Sequence, residues 1–110
     1  MGSRGDPLLD PAALEGLREI GGDDLVATAI ETFLADAPPL LTALHGNDAD
    51  EVRRAAHTLK SNGATFGATS FSELCRELEL LARTGDLADA PDLAARIETE
   101  YALVAEELRR

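Results

Sequence analysis

Apolar residues recur at helical spacing along almost the whole chain, and no stretch shows sustained two-residue alternation. A backbone carrying such stripes buries them by packing helix against helix. The expected fold class is therefore all-α, an antiparallel up-and-down four-helix bundle with a short extra N-terminal helix. A chain of 110 residues accommodates one hydrophobic core, so residues 10–110 are assigned to a single domain and residues 1–9 to a disordered N-terminal segment.

The stripes and their punctuation place the helices. Asp10 is suited to cap a first helix with Pro11 in its opening turn; Leu14, Leu17 and Ile20 share one side, and Gly21-Gly22 stops it. A second stripe, Val26, Ile30, Phe33, Ala37, Leu40, Leu41 and Leu44, runs from Asp23 or Asp24 to His45, with a kink or brief break expected at Pro38-Pro39. Gly46 suits the left-handed residue after that helix, and His45 suits the negative end of its dipole. A third helix starts between Asp48 and Asp50 and runs through Val52, Ala55, Ala56, Leu59, Gly63 and Phe66 to a stop near Gly67. Ser70-Phe71-Ser72-Glu73 matches a capping box opening a fourth, which buries Phe71, Leu74, Cys75, Leu78, Leu81 and Ala82 and ends by Gly85. Pro91 opens the last, with Leu93, Ile97, Tyr101, Val104 and Leu108 as its apolar face.

Charge narrows the function. A formal net charge of −11 with no dense Lys/Arg run repels a phosphate backbone or an anionic membrane surface, so neither nucleic acid nor membrane is an expected partner. No membrane span, signal segment or lipid anchor is expected. The lone Cys75 lies within an apolar helical pattern and reads as a small core residue, which fits a reducing, cytoplasmic setting.

Within the third helix the residues separate by angle. At about 100° per residue, Val52, Ala55, Leu59 and Phe66 lie opposite His57 and form the core side. Lys60, Ser61, Ala64 and Ala68 share the direction of His57, with Arg53, Arg54 and Gly67 at the flanks. His57 is thus expected in solvent, on a face of mostly small side chains made locally basic by Arg53, Arg54 and Lys60. A neutral imidazole can attack phosphorus without a separate base, and an ammonium one turn away can partly neutralise the transferring oxygens. An acidic partner would be steered to such a face. Gly63 points coreward, where it serves close helix packing.

The string His57-Thr58-Leu59-Lys60-Ser61-Asn62-Gly63-Ala64-Thr65-Phe66-Gly67-Ala68 resembles the signature of histidine-phosphotransfer (HPt) domains of multistep phosphorelays. His57, Leu59, Lys60, Phe66, Gly67 and Ala68 match it in register. Glu51-Val52-Arg53-Arg54-Ala55-Ala56, the Phe-Leu-x-Asp-Ala-Pro stretch from Phe33 to Pro38 and the Leu-Cys-x-x-Leu-Glu stretch from Leu74 to Glu79 are also similar to the family. Ser61 and Asn62 depart from it, since Gly and Ser are commoner there; a hydroxymethyl group at Ser61 narrows the approach to His57 or adds a hydrogen bond to the phosphoryl group.

The resemblance implies that His57 accepts a phosphoryl group from a receiver-domain Asp and passes it to another, with Lys60 stabilising charge. Arg53, Arg54, Ser61, Ala64, Gly67 and Ala68 would then meet the partner. It further implies response-regulator receiver domains and a hybrid sensor histidine kinase as partners, Mg²⁺ on the receiver, no cofactor or metal of its own, and a monomeric phosphocarrier rather than an enzyme. No Gly-rich loop for ATP is present. Three other readings compete: a non-phosphorylated adaptor of the same fold, a metal-binding bundle using His45, His57 and nearby carboxylates, and an enzyme with Cys75 as nucleophile.

Overall fold

The computed structural model describes residues 8–110. It contains four helices and no strand among the described residues: α1 (Pro11–Ala43), α2 (Ala49–Thr65), α3 (Thr69–Arg83) and α4 (Ala90–Leu108). Each helix packs on the next and α4 returns to α1, which closes a four-helix ring. The part of the expected disordered segment at residues 1–7 lies outside the described residues; Leu9, from the same segment, is buried in the core.

The short N-terminal helix is the first arm of α1. Asp10 caps it by accepting from the Ala12 amide at 3.0 Å, and Pro11 occupies the first turn as expected. The chain then bends at Gly22, whose φ of 73° and ψ of −169° are open essentially only to glycine, and resumes as helix. Leu14 and Leu17 pack against the core, whereas Ile20, in the arm's last turn before the bend, is 81% exposed rather than on the buried side.

Two expectations for the rest of α1 need correction. Pro38 and Pro39 lie inside the helix without a break, and Gly22 is its one residue with non-helical angles. Ala37, directly before the pair, is fully buried, and packing of this turn holds the backbone helical despite the lost donors. The helix ends at Ala43 with Leu44 as its cap, and Gly46 keeps a negative φ. His45 lies beyond the last turn and pairs with Glu98 of α4, Nε2 to Oε2 at 3.1 Å. By length and composition α1 is apolar enough to cross a membrane, but Phe33, Ala37 and Leu41 are spent on the core of the bundle.

All four aromatic residues of the chain meet at the centre. Phe33 of α1 lies 5.3 Å from Phe66, 6.1 Å from Phe71 and 5.7 Å from Tyr101, centroid to centroid, in tilted and edge-on contacts. Leu44, Val52, Leu59, Cys75, Leu78, Ile97 and Val104 are fully buried with Phe66 and Phe71.

The α2–α3 hairpin is the most extensive helix pair, and glycine sets its closeness. A Cβ at Gly63 would stand 2.6 Å from the Phe71 ring, so the expected packing role of Gly63 is realised. The turn is a Schellman closure: the Ala68 amide donates to Gly63 O at 3.0 Å and the Gly67 amide to Ala64 O at 3.0 Å, with Gly67 at φ 67°. The capping box expected at Ser70 is not formed. Helix α3 begins at Thr69, one residue after the closure, which puts Ser70 inside the first turn, and the cap position is held by Ala68 without a side-chain bond. Ser72 instead donates its hydroxyl to Lys60 O at 3.0 Å, tying α3 to α2.

Gly67 also receives the N-terminal segment: the Asp10 amide donates to Gly67 O at 3.0 Å, and a Cβ at Gly67 would fall 2.5 Å from that of Asp10. Gly67→Ala therefore combines a left-handed backbone with a collision and is expected to destabilise by about 2–3 kcal/mol. Gly85 has a similar φ of 82° but open space around it, so Gly85→Ala should cost only about 1 kcal/mol. Urea unfolding of both variants checks this; equal losses would mean that Asp10 is not seated on the turn.

Candidate functional site

Helix α2 is capped by Asp48, whose carboxylate accepts from the amides of Asp50 at 2.9 Å and Glu51 at 3.4 Å. Val52, Ala55, Ala56, Leu59 and Gly63 face the core, which turns His57 outward with its side chain 57% exposed. The expected orientation of the helix is thus the observed one.

The structure adds a residue that angular reasoning on one helix does not reach. Glu79 of α3 is buried, its side chain 4% exposed, and its two oxygens meet three basic groups. Oε2 accepts from Nδ1 of His57 at 2.9 Å, Oε1 accepts from Nζ of Lys60 at 2.7 Å, and Nη2 of Arg83 lies 3.5 Å from Oε2. A carboxylate in such a place would be strongly disfavoured alone. Here the Lys60 hydrogen bond is the largest influence and holds the carboxyl below its ordinary value, with His57 adding to it and burial opposing both. The signal in the sequence was an acid on an apolar face: Glu79 follows Leu78 and stands one turn from both Cys75 and Ala82, all three buried.

This geometry fixes the imidazole chemically. An ionised carboxylate only accepts hydrogen bonds, so the contact requires hydrogen on Nδ1. In neutral His57 the lone pair then resides on Nε2, the nitrogen left for a reaction partner. Lys60 lies on the same side of α2 as His57, and its ammonium is engaged with Glu79 beside the ring.

The docking residues divide. Arg54, Ser61 and Ala64 are exposed around His57, and Arg53 is half-buried with Asp50 4.0 Å away. Ala68 is fully buried and serves the helix closure, not a partner surface, whereas Gly67 is half-buried and holds both the closure and the Asp10 contact. The reason is that α2 ends at Thr65, and the angular extrapolation does not continue through the turn.

Charge is segregated around this site. Residues 49–83 carry five Lys/Arg and five Asp/Glu, so the net charge of −11 resides wholly in the rest of the chain. The α2–α3 hairpin is the electrically neutral part of an acidic protein, and its cations Arg53, Arg54, Lys60, Arg76 and Arg83 lie on the two helices that carry the site.

The competing sites lack this convergence. Cys75 is buried and its thiol is pushed up to about 12 by desolvation, so it is not poised as a nucleophile. His45 and His57 each pair with a different glutamate, and no three His, Cys, Asp or Glu side chains form a metal-binding group among the described residues.

Residues 28–107 match the model of the Hpt domain family. The chain belongs to the Hpt domain family. The crystal structure of histidine-containing phosphotransfer protein B (HptB) from Pseudomonas aeruginosa is similar over 94% of this chain and 92% of that one, with 34% sequence identity and a TM-score of 0.86. No curated protein matches the chain. Family membership makes it a histidine phosphotransfer protein of the kind that works with receiver domains and kinases in phosphorelays. The family match begins after the bend at Gly22, so the arm from Pro11 to Gly21 lies outside it, while the HptB match takes in nearly the whole chain.

A depressed carboxyl at Glu79 links stability to pH. Its contribution is fully present above the ordinary glutamate value near 4.5 and is lost as pH falls through the lower folded value. Glu79→Gln should therefore be less stable than the wild type at pH 7 by about 1–3 kcal/mol, with the gap closing as the pH is taken below 4. Urea titrations across that range test it; a gap independent of pH would remove the ionic role of Glu79.

Proposed function

We propose that His57 accepts a phosphoryl group from the Asp of one receiver domain and passes it to the Asp of another. The observation that carries this reading is the 2.9 Å contact of Nδ1 with Glu79, which keeps the proton on that nitrogen and the lone pair on Nε2. Nε2 attacks phosphorus, the N–P bond forms, the bond from phosphorus to the donor oxygen breaks, and the donor Asp leaves as a carboxylate. No proton needs to move. The positive charge arising on the ring is met by Glu79 through Nδ1–H, much as a buried Asp stabilises an imidazolium in a Ser-His-Asp triad. Lys60 supplies positive charge beside the transferring oxygens, and the reverse sequence delivers the group to the acceptor.

Exposed Ser61 and Ala64 leave room for the receiver, and Arg53 and Arg54 attract its acidic pocket, where Mg²⁺ is bound. This chain then needs no metal, cofactor or nucleotide site of its own and works as a covalent carrier rather than an enzyme. We further infer a cytoplasmic monomer: the four helices bury their apolar faces on one another, and Cys75 is a buried free thiol.

The test is to mix the protein with a cognate phosphorylated receiver domain and follow label on this chain. Label stable to base and lost in acid is expected on the wild type and absent from His57→Gln. Lys60→Ala should label on the order of ten- to a hundred-fold more slowly. Labelling that persists in His57→Gln sinks the reading, and a wild type that binds receivers yet never labels is the adaptor instead.

A further inference from the structure

Glu79 has two oxygens for three basic groups, and the sharing is uneven. Lys60 alone occupies Oε1, while His57 and Arg83 both lie on Oε2. Lys60 and His57 reach Glu79 from α2 across the helix interface. Arg83 reaches it from one turn further along α3, so this contact is intrinsic to the helix and survives any adjustment between α2 and α3. In the resting protein the Arg83 pair adds little, because its guanidinium is 59% exposed and Lys60 already neutralises the carboxylate.

Transfer changes that balance. With the N–P bond formed, the phosphoryl oxygens carry two negative charges and the ring one positive charge, shared with the Nδ1–H that faces Glu79. Lys60 then stands between two anions, the carboxylate on one side and the phosphoryl group on the other. The dianion draws the ammonium more strongly than the carboxylate does. As the ammonium turns, Oε1 loses its closest partner inside a buried site, where an uncompensated carboxylate takes up a proton or turns away. Either event removes the acceptor that holds Nδ1–H. Cys75, one turn before Glu79 on α3, is a buried neutral thiol and supplies no replacement charge.

We propose that Arg83 is a positioning residue of the phosphoryl transfer: the standing counter-ion that keeps Glu79 charged and directed at Nδ1 of His57 while Lys60 turns to the phosphoryl group. The inference rests on His57 being the acceptor. Arg83 acts through Glu79 and needs no contact with the phosphoryl group or with a partner.

A partner-free donor isolates this role. Phosphoramidate transfers its phosphoryl group to an accessible imidazole with release of ammonia, so no receiver surface is involved. Labelling of wild type, Arg83→Ala, Arg83→Lys, Glu79→Gln and the Arg83→Ala/Glu79→Gln double variant would be followed by phosphorus NMR, and the Nδ1–H resonance by proton NMR. Arg83→Ala is expected to slow labelling on the order of three- to ten-fold, the size of one partly exposed charge contact, and Arg83→Lys to restore most of it. In the Glu79→Gln background Arg83→Ala should change nothing further. The Nδ1–H resonance of Arg83→Ala should match the wild type before labelling and shift or broaden after it. A loss that persists undiminished in the Glu79→Gln background overturns the proposal, as does full-rate labelling of Arg83→Ala. Failure of the acceptor reading is separately visible, as label retained in His57→Gln.

Discussion

The approach of α2 to α3 is the constraint on which the rest of this molecule depends. Gly63 lets the Phe71 ring press against the α2 backbone, and the Schellman closure at Gly67 returns the chain at that spacing. Only at this distance can a short, buried carboxylate on one helix hydrogen-bond two side chains on the other. Had the helices stood apart by the width of a methyl group at Gly63, Glu79 would lose its contacts with His57 and Lys60 and keep only the longer Arg83 pair on its own helix, a less favourable state for a buried charge. Packing and site chemistry are therefore one interface.

Burial of Glu79 has a functional consequence through its protonation state. A carboxylate held below its ordinary value by Lys60 can serve only as an acceptor, which determines the tautomer of neutral His57 and leaves Nε2 as its free nitrogen. The same residues place positive charge beside the reacting nitrogen. The neutral α2–α3 hairpin within an otherwise acidic protein extends this logic to the surface: an anionic partner meets repulsion over the acidic remainder and least resistance at His57.

Much of the fold was legible because apolar periodicity and end signals are local. Asp10-Pro11, Asp48, Gly85 and Pro91 mark ends close to those observed, and the outward direction of His57 follows from Val52, Ala55 and Leu59 alone. Local rules failed where packing overrode them. Pro38-Pro39 stays helical under the buried Ala37, the capping box at Ser70 is displaced by the Gly67 closure, and Ile20 lies exposed beside the Gly22 bend. Ala68 shares an angle with His57 only on a helix that does not in fact reach it.

The sequence by itself determined the class of fold, the outward direction of His57 and the small-residue face around it, because each follows from the spacing of residues along single helices. The tertiary structure alone decided the rest of the site. Glu79 lies 22 positions from His57, on another helix, and nothing local to either residue encodes their contact. The same holds for the seating of Asp10 on Gly67 and for Arg83 behind Glu79, since hydrogen bonds and charge pairs across an interface exist only once the hydrophobic packing has set the distance.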